Sequence, residues 1–182
     1  MAQKATVFKV ELQLSDLDRH YYQTHALTLA RHSSETDERM MVRLIAFALN
    51  ADPALSFGNG LSTADEPDLW QRDLTGAITL WIDVGMPDLK LIRRAAGRSA
   101  QVRVYAYGRG ADQWCNTHRA ELNRIDNLAV FQLATESTLA LSAIAERTMQ
   151  IQCLIEDGEV SISARDTTFA VEIETLKPAK QR

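Results

Sequence analysis

Two aspartates carry the chemistry this sequence offers. Asp68 follows Pro67, and Asp83 lies near the end of an almost continuous apolar run, Ala77 to Val84, that stops at Gly85. The segment from Asp68 and the run ending at Asp83 read as an antiparallel hairpin that turns between Leu74 and Gly76. With Thr75 and Gly76 as the loop, Asp68 lies directly opposite Asp83. With the turn slipped by one residue, Asp68 opposes Trp81 and the two aspartates become diagonal neighbours on one face. In either register their β-carbons come within roughly 5–8 Å. Carboxylates that close repel. A divalent cation is the natural group between them, because Mg²⁺ takes one or two carboxylates and keeps several waters.

Glu38 is the third carboxylate of interest. In a helix over residues 34–50 it lies one turn before Met41 and two before Ile45, along the apolar stripe. A carboxylate aimed at a core edge needs a partner. From spacing alone, an ion pair with an arginine such as Arg39 or Arg43 outweighs a ligand role. The helix after Gly85 carries Lys90, Arg93, Arg94 and Arg98. Lys90 and Arg94 share a face, with Arg98 one turn further on, and Arg93 sits nearer the apolar Leu89–Ile92–Ala96 edge. A solvated surface is the competing reading of that stripe.

The elements that position these residues are legible in part. Phe8, Val10, Leu12 and Leu14 alternate with Lys9, Glu11 and Gln13, which is a half-buried strand. Residues 15–19 read as a turn and 20–31 as a second strand, giving an N-terminal hairpin 5–31. The helix over 34–50 has Ser33 or Ser34 as its expected cap and Met41, Leu44, Ile45 and Ala48 as its apolar stripe. The apolar run 77–84 is of the kind buried on both faces. Pro87 suits the first position of a helix reaching about Ala100, with Asp88 in its first turn. A strand over 101–107, a helix over 111–123 and a strand over 127–133 complete an α/β core, about residues 34–133. The C-terminal meander 147–175 has strands at 147–156, 159–164 and 168–175. The first two are joined by Asp157-Gly158, a strong hairpin signal. The tail from Lys177 reads as polar and frayed. The hairpin and the meander are expected to pair as a second, antiparallel sheet, making residues 1–182 one unit.

Composition narrows the classes further. The chain has 182 residues with a net charge of −4, which argues against coating nucleic acid by bulk charge but leaves room for a local basic patch. Its 2 cysteines and 4 histidines form no zinc spacing. There is no signal-peptide pattern and no apolar run long enough for a membrane helix. A cytoplasmic protein with no membrane partner is expected. Trp70 and Trp81 flank the acidic residues and could stack on a base, although packing is the simpler role.

Three segments carry a resemblance: Ser34 to Met41, Asp65 to Trp70, and Leu80 to Gly85 with Pro87-Asp88. They resemble the YaeQ family of bacterial proteins, to which these motifs are specific. The likeness extends to Tyr105–Gly108 and Arg147–Met149 and covers essentially the whole chain. That family resembles the PD-(D/E)XK nuclease superfamily, whose central mixed sheet is flanked by helices. Carried over, Glu38 corresponds to the acidic residue of the first core helix, Asp68 to the aspartate of the PD element, and Asp83 to the acid of the (D/E)XK element. The lysine two places on is Gly85 here, so Lys90 or Arg93 is the expected replacement. The resemblance implies hydrolysis of nucleic acid phosphodiesters with Mg²⁺ or Mn²⁺ held by Asp68, Asp83 and Glu38. Its alternative is a non-catalytic module that binds nucleic acid or a protein through a degenerate site.

Overall fold

The computed structural model describes residues 5–59 and 65–180. β1 (Thr6–Asp16) and β2 (Tyr21–Arg31) form the expected hairpin, with Phe8, Val10, Leu12 and Leu14 buried. α1 (Asp37–Leu49) follows. Its cap is Thr36, which accepts from the Arg39 amide at 3.1 Å, and not the expected Ser33 or Ser34. β3 (Leu55–Phe57), β4 (Leu69–Arg72) and β5 (Ile78–Val84) form an antiparallel meander.

Two crossovers come next: α2 (Leu89–Arg98) to β6 (Ser99–Ala106), then α3 (Ala111–Leu122) to β7 (Leu128–Leu133). β6 pairs in parallel with β5, and β7 in parallel with β6. Asp88 caps α2 by accepting from the Lys90 amide at 2.7 Å, which places Pro87 just outside the helix and not at its first position. α4 (Thr135–Ala143) leads to β8 (Thr148–Glu156), β9 (Glu159–Ala164), β10 (Thr167–Val171) and β11 (Ile173–Lys177). Neither β3 nor α4 was expected. β3 is too short to show a period, and α4 has no apolar stripe.

The strands make two mixed sheets. The central sheet runs β11-β7-β6-β5-β4-β3 and the outer sheet β10-β9-β8-β1-β2. The outer sheet is not antiparallel throughout, because β1 pairs with β8 in parallel, Lys9 with Thr148 through Asp16 with Ile155. Alternation marks which face is buried and is the same for either strand direction, so the sequence could not distinguish them. The expected strand over 168–175 is two strands. β10 closes the outer sheet, and β11 crosses to pair with β7. Lys177 is not frayed. It is buried, and its Nζ donates to the carbonyls of Ile125 and Leu128.

α1 lies between the sheets beside α4. It is buried on all sides from Met40 to Ala48, in a cluster with the inward residues of both sheets. α2 and α3 cover the opposite face of β5, β6 and β7, where Trp81, Ile92, Val104 and Leu122 pack together. That double covering explains the continuous apolar run of β5. Among the described residues, no helix is long and apolar enough to cross a membrane.

Candidate metal centre

The turn between β4 and β5 spans residues 73–77. The Asp73 Oδ1 accepts from the Thr75 amide at 2.8 Å, the Thr75 hydroxyl at 2.6 Å and the Ala77 amide at 3.0 Å. This closure sets Arg72 opposite Ile78, one residue out of step with the strands beyond. Thr79 bulges to absorb the difference, its hydroxyl donating to the Gln71 carbonyl at 3.1 Å. Pairing then resumes as Gln71–Leu80, Trp70–Trp81 and Leu69–Ile82. The bulge restores the register in which Asp68, one residue before β4, faces Asp83.

The two aspartates stitch the strand ends together. The Val84 amide donates to the Asp68 Oδ2 at 2.8 Å, and the Asp68 amide donates to the Asp83 carboxylate. Both side chains line one cleft of about 320 Å³, together with Arg39 and with Leu91, Arg94 and Arg98 of α2. The two carboxylates differ in their company. Asp68 is buried, and both its oxygens accept from Arg39, at 2.9 and 3.0 Å. Arg39 also donates to Glu35 at 3.0 Å, and Glu35 takes two bonds of 2.8 Å from the buried Arg43. The result is a chain of alternating charge, Arg43–Glu35–Arg39–Asp68.

Asp83 has no cation of its own among the described residues. Its Oδ2 accepts from the Trp81 indole N–H at 2.9 Å. Burial, and then the negative charge of Asp68, push its pKa up to about 6, against the Trp81 and Asp68 hydrogen bonds and the charge of Arg39.

Glu38 is not brought to this pair. It lies beside Tyr107, whose hydroxyl burial pushes up in pKa and which bonds to Thr36. Among the described residues, no three carboxylate, imidazole or thiol groups come together as metal ligands. The adjacent helical position, Arg39, is the one that turns toward Asp68. The expected ion pair of Glu38 with Arg39 or Arg43 does not form either, since both arginines are taken by Glu35. Lys90 and Arg93 do not line the cleft. Arg93 reaches toward Glu121 of α3 at 4.0 Å. The α2 face turned to the aspartates carries Arg94 and Arg98, of which Arg94 pairs with Asp65 at 2.6 Å.

Gly85 has φ of +97° and donates its amide to the Tyr105 carbonyl at 2.9 Å. A β-carbon there would meet nothing closer than the Tyr107 ring at 4.0 Å. Backbone conformation, not space, excludes a lysine from this position. The site residue missed by sequence reasoning is Arg39, with Glu35 and Arg43 behind it. Part of their signal was present: Arg39 and Arg43 are four residues apart on α1 and share a helix face, with the acidic Glu35 just before the cap.

These features define a mixed α+β fold in which an antiparallel hairpin and a parallel strand meet at a paired-aspartate cleft. The chain belongs to the YaeQ family, whose model, described as YaeQ protein, matches residues 1–173. It is 40% identical to the uncharacterized protein YaeQ of Salmonella typhi, over 95% of this chain and 96% of that one. It is 42% identical to the protein of that name in Escherichia coli strain K12, over 90% and 91% of the two chains. The crystal structure of YaeQ protein from Xanthomonas axonopodis pv. citri is similar at a TM-score of 0.92 and 47% identity, covering 96% of this chain and 99% of that one. That of Pseudomonas syringae YaeQ gives 0.93 at 33% identity, covering 97% and 98%.

Proposed function

We propose that this chain handles the phosphodiester backbone of nucleic acid at a variant PD-(D/E)XK nuclease-like site, with Mg²⁺ or Mn²⁺ held at Asp83 and Asp68. The observation that carries the reading is Asp83. It is a desolvated carboxylate set against a second one, without a cation, in a cleft whose far wall is lined by arginines. A cation that keeps most of its waters and takes one or two carboxylates fits this donor set. When bound, it would polarise a phosphate oxygen and lower the pKa of a coordinated water.

The chain's own residues have separate tasks. Asp83 offers its free lone pairs, and the Trp81 indole fixes its orientation. Arg39 and the Val84 amide hold Asp68 in place. Arg94 and Arg98 present guanidinium forks to phosphate oxygens, in the role expected of Lys90 or Arg93. The alternative is a binding module with a degenerate nuclease site. It is favoured by the backbone of Gly85, which leaves no place for the lysine, and by the hold of Arg39 on Asp68.

Calorimetric titration with Mn²⁺ tests the reading. Heat from the wild type and none from Asp83→Asn is the expected result, and equal heats in both proteins remove the metal site. Mn²⁺ binding without cleavage of labelled DNA or RNA assigns the chain to the binding module.

A further inference from the structure

The face of the central sheet that carries the two aspartates is not fully covered. α2 and α3 lie over β5, β6 and β7. Beyond them, Ser56 of β3 and Arg72 of β4 are exposed, and Trp70 between them is half-buried. On this shelf the Arg72 guanidinium lies over the Trp70 ring at 3.8 Å. Trp70 meets Trp81 edge to face at 6.5 Å, and Arg98 stands 5.9 Å over Trp81. Two indoles flanked by two guanidiniums, Arg72, Trp70, Trp81 and Arg98, thus form a row that leads from β4 into the cleft of Asp83. Neither Arg72 nor Arg98 pairs with a carboxylate among the described residues. Asp73, the acid nearest Arg72 in sequence, is occupied by its own turn.

An indole beside cations that lack counter-charges suits a base next to a phosphate. Each base has a π-face that stacks on an aromatic ring or a guanidinium plane, and each phosphate takes an arginine fork. In a duplex those base faces are already stacked on their neighbours. We propose that this shelf binds single-stranded nucleic acid, with bases stacking on Trp70 and Arg72 while Arg98 and Arg94 take the phosphates of the strand entering the cleft. The inference rests on the phosphodiester reading of that cleft and names its substrate as single-stranded.

The test is fluorescence anisotropy of a short fluorescein-labelled oligothymidylate, in EDTA and at low salt. Trp70→Leu is expected to weaken binding about tenfold or more, and Trp70→Phe to keep most of it. Arg72→Ala, at an exposed position where folding is safe, is expected to weaken binding and to lower the salt dependence by about one counterion. Arg165→Ala makes the same charge change on the outer sheet, where its partner is Glu146, and serves as control. Wild type that fails to bind, Arg72→Ala that binds no worse than Arg165→Ala, or a blunt duplex that binds more tightly than the single strand each overturns the proposal. Because every arm is run in EDTA, strand binding is read without any metal in the cleft. A cleft that takes no Mn²⁺ and a shelf that takes no strand are therefore separate results.

Discussion

The two ends of α1 are built from the same kinds of side chain and finish in different electrostatic states. At the C-terminal end, Asn50 donates to the Ala46 carbonyl at 2.7 Å and to the Tyr105 hydroxyl at 2.8 Å, and accepts from Arg103. Arg19 pairs with Asp16 and donates to the carbonyls of Ala48 and Ala51 at 3.2 and 3.1 Å. The Ala46 and Ala48 carbonyls, near the end where a helix leaves its carbonyls open, are thereby met. At the N-terminal end, Arg43, Glu35, Arg39 and Asp68 neutralise one another, and Asp83 is left over. The first end resembles a structural clamp. The second leaves Asp83 without a cation of its own among the described residues, and Asp83 faces a cleft. A leftover half-buried charge is costly, and it marks that end as the place to look for a ligand.

The largest effect expected from breaking this contrast comes from Glu35→Ala. Glu35 holds Arg43, which is 2% exposed, and Arg39 together. Its loss leaves two desolvated guanidiniums without their shared anion, at a cost of about 3–5 kcal/mol. Urea unfolding followed by circular dichroism measures this. A midpoint close to wild type means that solvent or another carboxylate reaches Arg43, and the buried chain of alternating charge is then not what holds this end of α1.

Asp83→Asn comes next, and its sign is opposite. The folded protein holds the Asp83 proton more tightly than the unfolded chain, with a pKa raised from 3.8 to about 6. Between those values the folded state binds more protons, so stability contributed by this group is present below about pH 4 and lost as pH rises through about 6. The ionised side chain then costs at most about 3 kcal/mol. Asp83→Asn is therefore expected to unfold later than wild type at pH 8 and to converge with it toward pH 4. Mn²⁺ should narrow the gap at pH 8 by stabilising only the wild type. A variant less stable than wild type at pH 8 contradicts the idea of an unserved charge.

At the other end of the helix, Asn50→Ala strands the Tyr105 hydroxyl and the Ala46 carbonyl. A loss of about 1–3 kcal/mol is expected, with Mn²⁺ heats unchanged. Altered Mn²⁺ binding in this variant would show that the two ends are coupled through the helix, and the contrast between clamp and cleft would blur.

How much of this was legible follows from the range of each signal. The alternation of β1, the Asp157-Gly158 turn and the register of Asp68 with Asp83 are local patterns, and each is present in the structure. Of the two registers left open, the structure takes the one in which Asp68 faces Asp83, because the bulge at Thr79 compensates for a loop longer than Thr75-Gly76. The choice of Arg39 as partner of Asp68 was not legible. Several arginines lie near enough in sequence, and only the packing of α1 across the sheet selects one. For the same reason Lys90 and Arg93 could not be told from Arg94 and Arg98. All four lie on one short helix, and the rotation of α2 about its axis is set by Ile92 and Ala95, which it buries. The parallel pairing of β1 with β8 and the crossing of β11 are also tertiary facts without a local signature.

The smallest expected effect sharpens the comparison most. Arg94 pairs with Asp65 at 2.6 Å, but both side chains are about half exposed, at 51% and 59%. Ion pairs in that setting contribute about 0–1 kcal/mol, because water screens them and ordering two long side chains costs entropy. Arg94→Ala should therefore leave the unfolding midpoint almost unmoved, in contrast to the cost of Glu35→Ala at the same end of α1. If Arg94 belongs to the phosphate-binding wall, the same variant should weaken oligonucleotide binding and flatten its salt dependence. The two measurements together separate the residues that hold the cleft's shape from those that face what enters it. A large loss of stability in Arg94→Ala would move this arginine into the clamp and leave Arg98 as the cleft's remaining α2 cation.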